Sequence, residues 1–369
     1  MLSPLAWGGR ATPSGIAIPK RKGSSALRSK KLVSLTCAGL FAACVCGLSA
    51  AAASAATPTL NGAGSTLVAP IEAEWAAVWD TANSTLVNYS PVGSGTGEKD
   101  IAAGLVDFGA SDAPLSVYPT APANLVQIPW ALTATGVSYH LNGLKPKGST
   151  LKLTGSVLSQ IYLGQITNWD NKQIKNLNKG VKIPNKRITV FWRSDGSGDT
   201  YAFTRYLSDV SSAFSGRVGA STTVSFPTGV GEKGNQGMAQ ALEGTNGGIA
   251  YIAVSYLIAN RLPAVAVRNA AGNYEVPNLN AIAAAASGIS VPNGNQVTIV
   301  DPAKRRKKAY PISTFTYAFV PTNAPQGSLI RSFLGYAITQ GQSFGPSLDF
   351  SPLPQSVVSA DEATLNSIG

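Results

Sequence analysis

The chain is poor in residues that bind soft metals or carry thiol chemistry. It has one histidine, His140, and its three cysteines all lie at or before Cys46. A zinc site needs a set of Cys, His or carboxylate ligands, and a Ser-His-Asp triad needs a histidine base. Nothing around His140 marks it as a ligand or a base. We therefore expect no metal ion, no other cofactor and no disulfide in the body of the protein.

The N-terminal segment lacks acidic residues altogether. Residues 1–56 contain seven Lys and Arg residues and no Asp or Glu. Their basic part is followed by an apolar stretch at 32–49 and by small residues at 51–57, which is the order of a secretory signal peptide. Cys44 follows Phe-Ala-Ala, which weakly resembles a lipoprotein cleavage box, so a lipid anchor at Cys44 is the alternative. Either way, we expect the protein outside the cytoplasm, in the periplasm or another extracytoplasmic location.

The basic character of the chain comes largely from this segment. The whole chain has 29 basic and 18 acidic residues and a pI near 9.6, but residues 57–369 keep an excess of only four positive charges. That balance gives no support for a nucleic-acid partner. No later stretch reaches the roughly 20 apolar residues that a transmembrane helix needs.

The remaining residues predict an α/β protein with largely parallel sheets, because strand and helix patterns alternate along the chain. The length favours two lobes. The predicted strands are 86–89, 106–110, 137–141, 188–192, 248–252 and 313–320. The predicted helices are 71–81, 98–105, 151–176 in two pieces, 200–208, 279–287 and 329–339.

Three loops of small polar residues precede predicted helices, at 62–66, 93–96 and 196–200. Such loops cap helices, and they also bind anions, because glycines let backbone N–H groups approach a ligand closely. Two catalytic interpretations fail on spacing. Lys99 lacks the neighbours of a phosphate-binding Walker loop, and Ser197 has glycines directly beside it, unlike a nucleophile elbow.

An arginine and a carboxylate accompany these loops. Arg193 follows a predicted strand, and Asp112 ends the stretch Gly109-Ala110-Ser111-Asp112. A carboxylate suits an anion site only if the anion itself carries a proton. Hydrogen phosphate does, so Asp112 can accept its O–H while neutral groups donate to the other oxygens. The residues therefore favour inorganic phosphate as the ligand.

Several motifs in order resemble the PstS-type phosphate-binding proteins of bacterial ABC transporters. They are Gly62–Thr66, Val106–Leu115, Ile161–Trp169, Arg193–Gly198, Tyr310–Ser313 and Leu348–Leu353. The resemblance implies a two-lobe periplasmic-binding-protein fold of type II, with two crossovers near 137–142 and 310–315 and the ligand in the cleft between the lobes. The first lobe would comprise residues 57–140 and 313–369, and the second lobe residues 141–312.

The resemblance also implies a ligand set. The phosphate-binding residues by motif position are Thr66, Leu67 through its backbone N–H, Ser94, Asp112, Arg193, Ser197 and Gly198. Asp195 would orient the Arg193 guanidinium from behind. Asp199 stands where many members have a threonine donor. It either contributes only its N–H or accepts a second phosphate proton and so favours the monoanion, and Thr200 is the candidate to replace the missing hydroxyl.

The function implied is a secreted phosphate receptor, not an enzyme, which acts as a monomer and delivers phosphate to the permease and ATPase subunits of a transporter. Two alternatives stay open at this point. One is a phosphoesterase that uses the same anion cradle, against which the missing metal ligands and general base argue. The other is a surface protein that scavenges phosphate without a permease.

Overall fold

The computed structural model describes residues 56–369, so the predicted signal segment and Cys44 lie outside the described residues, Ala56 excepted. The strands of the larger sheet are β1 (Thr59–Gly64), β2 (Leu86–Ser90), β3 (Phe108–Ser111), β4 (Leu125–His140), β6 (Thr189–Arg193), β7 (Val230–Glu232), β8 (Gly248–Ala253) and β11 (Ser313–Pro321). A smaller sheet contains β5 (Lys152–Leu153), β9 (Ala266–Arg268) and β10 (Tyr274–Glu275).

Helices connect most of these strands. They are α1 (Ala69–Asn83), α2 (Ser94–Ala102), α3 (Gly155–Tyr162), α4 (Lys172–Leu177), α5 (Gly198–Val210), α6 (Ser212–Arg217), α7 (Gly234–Glu243), α8 (Val254–Ala259), α9 (Leu279–Ala286), α10 (Gly327–Ile338) and α11 (Gln355–Leu365). Two 3₁₀ segments span Leu115–Val117 and Gln340–Leu348. Within residues 56–369, no helix has the length and apolar character that a membrane span requires.

The eight-stranded sheet has the order β2-β1-β3-β11-β4-β8-β6-β7. Its outer pairs are parallel, whereas β11 and β4 run antiparallel to their neighbours. The prediction of largely parallel sheets is therefore wrong for the centre of the sheet. The cause is that β4 runs through both halves of the molecule and β11 enters the sheet from a distant part of the chain, so neither is the return strand of a local β-α-β unit.

The long strand β4 changes partner in its middle. Residues 125–134 pair with β11, and residues 135–140 pair with β8. We call β2-β1-β3-β11 with residues 125–134 the first half-sheet, and residues 135–140 with β8-β6-β7 the second half-sheet. The change of partner, at Ala134 and Thr135, lies a few residues before the crossover expected at 137–142.

Each half-sheet carries its own aromatic core. In the first, the Trp75 and Trp130 rings lie 5.3 Å apart, and Phe108 packs edge-on against Trp130. In the second, the Phe203 and Tyr251 rings stack at 4.6 Å. These rings bury large apolar surfaces behind the loops of the cleft, so the loops are held on rigid supports.

One segment of the predicted second lobe is fastened to the first half-sheet. The Gln127 side chain donates to the Gly294 carbonyl at 2.7 Å, and Asn295 donates to the buried Asp361 of α11 at 2.9 Å. Tyr317 of β11 donates to the Val297 carbonyl. The lobe boundaries stay a prediction, and these contacts join part of the predicted second lobe to the first half-sheet.

The predicted helices and strands are present as helices and strands, but several begin or end at other residues than predicted. The helix predicted at 71–81 lies within α1, and the one at 200–208 lies within α5. Helix α2 begins four residues earlier than predicted, at Ser94, because Gly93 with φ of 100° turns the chain into it. Of the helical stretch predicted from 151, residues 152–153 instead form β5.

Candidate anion-binding site

The first loop turns sharply at the end of β1. Gly64 has φ of 146°, and a side chain there would meet the Ala110 carbonyl of the adjacent strand at 2.0 Å. Only glycine allows this approach. The turn places the Ser65 hydroxyl 2.6 and 2.7 Å from the two carboxylate oxygens of Asp112, and the same hydroxyl accepts the Leu67 N–H at 3.0 Å.

Asp112 directly follows β3 and is 1% exposed. Besides Ser65, it accepts from the Ser94 hydroxyl at 3.3 Å. Burial raises the pKa of its carboxyl above the ordinary value, and the neighbouring Asp199 raises it further, whereas Ser65, Arg193 and Ser94 oppose the shift. A hydrogen shared between Asp112 and a facing oxygen is thus favoured, because the hydroxyls that donate to its carboxylate are neutral groups.

Arg193 lies at the end of β6 and is also buried. Its Nε and Nη2 donate to the two oxygens of Asp195 at 2.7 and 2.5 Å, which is a bidentate pair. Its Nη1 donates to Asp199 at 3.1 Å. Burial lowers the pKa of the guanidinium, but the two carboxylates more than offset this, so the group stays charged.

Asp199 lies in the first turn of α5 and is fully buried. One carboxylate oxygen accepts from Thr135 at 2.7 Å, and the other accepts from Arg193 and from Asn235, the latter at 2.8 Å. Burial raises the pKa of Asp199 above its ordinary value, against the lowering effects of these three donors. The side chain therefore does more than cap a helix, because it joins β4, β6 and α7.

The two sides of the cleft touch at backbone and small side chains. The Gly198 N–H donates to Ser94 at 3.0 Å, and the Gly95 N–H donates to the Gly196 carbonyl at 3.0 Å. Asn235 donates to the Thr66 hydroxyl at 2.9 Å. The two halves are thus closed on each other around the site.

The predicted residues come together in this cleft. Those that are buried there are Thr66, Leu67, Ser94, Asp112, Arg193, Ser197, Gly198 and Asp199. Ser197 caps α5 by accepting the Thr200 N–H at 3.4 Å. The Thr200 hydroxyl lies 2.8 Å from the Tyr251 hydroxyl, so it is engaged away from Asp199. Asp195 holds the Arg193 guanidinium, as the resemblance implies. The role of each residue towards a ligand stays a prediction.

Three residues of the site were missed by sequence reasoning: Ser65, Thr135 and Asn235. Ser65 lies in the loop at 62–66, but the family motif assigns the ligand role to its neighbour Thr66. Asn235 follows Gly234 at the start of α7, which is the same glycine-before-helix signal as in the other loops. Thr135 carries no local signal, since its position depends on where β4 changes partner.

His140 is the last residue of β4, and its Nδ1 lies 3.3 Å from the Leu242 carbonyl. Among residues 56–369, no group of His, Cys, Asp and Glu has the geometry of a metal site.

The comparisons with known proteins decide the family. Residues 49–340 match the PBP superfamily domain. The phosphate-binding protein PstS of Xylella fastidiosa is 34% identical over 82% of this chain and 84% of its own length. The protein of that name from Pasteurella multocida is 32% identical over 83% of this chain and 89% of its own. The chain belongs to the PstS family. The resemblance drawn from the motifs is therefore confirmed.

Solved structures confirm the predicted two-lobe fold. A high-affinity periplasmic phosphate-binding protein called PfluDING superposes on this PstS family member with a TM-score of 0.67, at 21% identity, over 84% of this chain and 99% of its own. A phosphate ABC transporter substrate-binding protein from Clostridium perfringens gives a TM-score of 0.58, at 20% identity, over 80% of this chain and 100% of its own.

Proposed function

We propose that the protein is a secreted receptor for inorganic phosphate that delivers it to the permease and ATPase of an ABC transporter. The observation that carries the proposal is the closed cleft itself. It combines a buried arginine, several backbone and hydroxyl donors, and a carboxyl, Asp112, that faces neutral donors. The names of the relatives agree with this ligand.

Asp112 gives the site its chemistry. A protonated oxyanion can donate its O–H to this carboxylate while its other oxygens accept from Ser94, Gly198 and Arg193. A fully deprotonated oxyanion would place acceptor against acceptor. The ligand set that we propose is Thr66, the Leu67 N–H, Ser94, Asp112, Arg193, Ser197, Gly198 and Asp199, with Asp195 holding Arg193.

Calorimetric titration of the purified protein with phosphate, arsenate and sulfate tests this function. We expect phosphate and arsenate to bind and sulfate to bind barely, if at all. Absence of phosphate binding, or equal affinity for sulfate, would remove phosphate as the ligand.

The proposal includes closure by rigid lobes. Ligand groups come from both sides of the cleft, so an anion that contacts both stabilises the closed form by its differential contacts. Phosphate should therefore reduce the radius of gyration in solution scattering and raise the melting temperature. Identical scattering profiles with and without saturating phosphate would contradict closure.

Transport and not catalysis is the proposed role. The cleft places no histidine beside the Ser197 hydroxyl, which instead caps α5. A chromogenic phosphomonoester should accordingly be turned over no faster with the protein than without it. Co-purification of the protein with permease and ATPase subunits from the native membrane tests the transporter partner.

A further inference from the structure

The charges of the chain are divided unevenly between its parts. Residues 57–140 and 313–369 together have two basic and ten acidic residues, whereas residues 141–312 have twenty basic and eight acidic ones. The excess is greatest in residues 141–187, which contain nine Lys and Arg residues and one acidic residue, Asp170. All nine of these basic side chains are exposed. We call the nine together the basic face.

The basic face is one surface, although its residues come from several loops. The backbones of Lys145 and Lys182 pair by two hydrogen bonds, of 3.2 and 2.8 Å. The Lys152 backbone pairs with the Asn178 side chain by two more, of 2.7 and 2.9 Å, which brings Lys152 close to Lys179. These bonds fasten the loops that carry the charges to one another.

The basic face lies at the edge of the second half-sheet that is opposite the cleft. Its loops follow His140, the last residue of β4, and precede Thr189, the first residue of β6, and both of these residues pair with Gly248. Arg193 ends β6 at the cleft. A strand rises about 3.3 Å per residue, so the two edges are roughly 13 Å apart. The basic face is therefore separate from the anion site.

The charges of the basic face are not balanced by the protein itself. Within residues 56–369, the salt bridges all belong to Arg193 and Arg205. The carboxyl groups of Asp170 and Glu243 take part in none of them. Like charges that are collected on one surface repel one another, so an anionic partner would be attracted to this end of the molecule and would relieve the repulsion.

A cavity of about 850 Å³ adjoins the basic face and is lined in part by two of its side chains, Lys145 and Lys147. Arg261 adds a third cation, and apolar side chains such as those of Leu144 and Leu262 line the same cavity. Cations beside an apolar hollow fit a molecule that has both a negative group and hydrocarbon. An anionic phospholipid has both, whereas a purely polar polyanion has only the first.

A nucleic-acid partner fits this surface less well. Proteins that bind single strands stack the bases on aromatic side chains. Every Phe, Tyr and Trp side chain in residues 56–369 is buried or half-buried. Eight of the nine cations are Lys, which lacks the planar fork with which Arg makes bidentate contacts. The surface thus attracts negative charge without the means to read bases.

We propose that the basic face is a docking surface for a phospholipid bilayer with anionic headgroups. The headgroup phosphates accept from the ammonium groups, and each Lys near such a bilayer strengthens the partition constant by about fivefold. The acidic residues 57–140 and 313–369 are repelled by the same bilayer, so the protein is held with this edge of the second half-sheet towards the membrane. The proposal goes beyond phosphate binding in the cleft and does not depend on it.

The test is co-sedimentation of the purified protein at low salt with two kinds of vesicle, one of phosphatidylcholine with about one third phosphatidylglycerol and one of phosphatidylcholine alone. We expect the wild type to bind the anionic vesicles. The test variant combines Lys175→Gln, Lys182→Gln and Lys186→Gln. Its partition constant on the anionic vesicles should fall by about a hundredfold, because three attractive charges are lost.

The matched control removes the same number of charges outside the basic face. It combines Lys99→Gln, Arg205→Gln and Arg217→Gln, which are exposed residues of α2, α5 and α6. This control should keep most of the wild-type partition constant. All variants share the N-terminal segment, so differences among them report on the substituted residues. Melting curves and a titration with inorganic phosphate should match the wild type in both, since neither variant changes the cleft.

Four outcomes would overturn the proposal. They are wild-type binding that is absent from the anionic vesicles or equal on both kinds, an unchanged partition constant in the folded test variant, an equal loss in the control, and tighter binding of a single-stranded oligonucleotide than of the anionic vesicles. Salt gives a check on the wild type alone. At about 1 M salt the Debye length is about 3 Å, so the protein should leave the anionic vesicles. Retention there would exclude electrostatic docking.

Discussion

The two sides of the cleft differ in the charge of the groups that surround their key residues. On the first half-sheet, Asp112 is surrounded by hydroxyls and backbone groups and has no cation in direct hydrogen-bond contact. On the second half-sheet, Arg193 is fixed between two carboxylates. Under the proposed function, the first side would sense whether a ligand oxygen carries hydrogen, and the second side would supply the cation of the site. Selectivity and charge balance can accordingly be changed separately.

The largest expected effect concerns Asp112. A buried acceptor that faces a ligand without a proton can reject a near-isostere by on the order of 10⁴-fold. Asp112→Asn should narrow the phosphate-to-sulfate ratio sharply, because the amide can donate as well as accept, although Asp199 should preserve part of the ratio. Paired titrations with phosphate and sulfate measure it, with Asp209→Asn as the control. An unchanged ratio would show that Asp112 does not sense the proton.

Arg193→Ala should weaken phosphate binding by about a hundredfold, since hydrogen bonds to charged groups contribute roughly 1.5–3 kcal/mol each. The variant also leaves Asp195 and Asp199 without their common partner, so melting curves must accompany the titration. Arg205→Ala is the control, because Arg205 pairs with Asp209 on the exposed face of α5. A wild-type dissociation constant in folded Arg193→Ala would place the arginine outside the site.

Gly198→Ala tests the contact between the two sides. The new Cβ would lie within 2.6 Å of Asp112 atoms on the opposite side, while the φ of Gly198 is outside the left-handed range that side chains rarely adopt. Overpacking costs about 1–3 kcal/mol, so affinity should fall by about tenfold or more, and phosphate should no longer reduce the radius of gyration. Gly216→Ala, in open space on α6, should behave as wild type. Normal compaction of Gly198→Ala would refute closure at this contact.

Thr135→Val should have the smallest effect. It removes the hydroxyl that donates to Asp199 but keeps the shape, and one hydrogen bond contributes about 1 kcal/mol, or about fivefold in affinity. Thr133→Val is the matched control on the same strand, since its hydroxyl donates to Asp349 and not to the site. Equal losses of affinity in both variants would mean that Thr135 acts through strand stability only.

Local patterns explain how much of this could be predicted from sequence. The helices α1 and α5 and the strands around Arg193 follow from apolar periodicity and from glycines at their ends. The loops at 62–66, 93–96 and 196–200 could be predicted as parts of the site from their sequence motifs. The bonds of Thr135 and Asn235 to Asp199 could not be predicted, because they depend on three elements that are distant in sequence. The antiparallel centre of the sheet was missed for the same reason, since no local signal shows that a strand passes between lobes.

The position of β11 has a consequence for how the protein is made. This strand lies between β3 and β4 in the sheet, although about 170 residues separate it from the end of β4 along the chain. The first half-sheet therefore lacks a central strand until the last part of the chain has been synthesised. The elements of the second half-sheet that follow residue 135 are all complete before then, so they can fold first. Until β11 is available, the facing edges of β3 and β4 stay open to wrong pairing, so the chain is most exposed to aggregation just before its last part is complete.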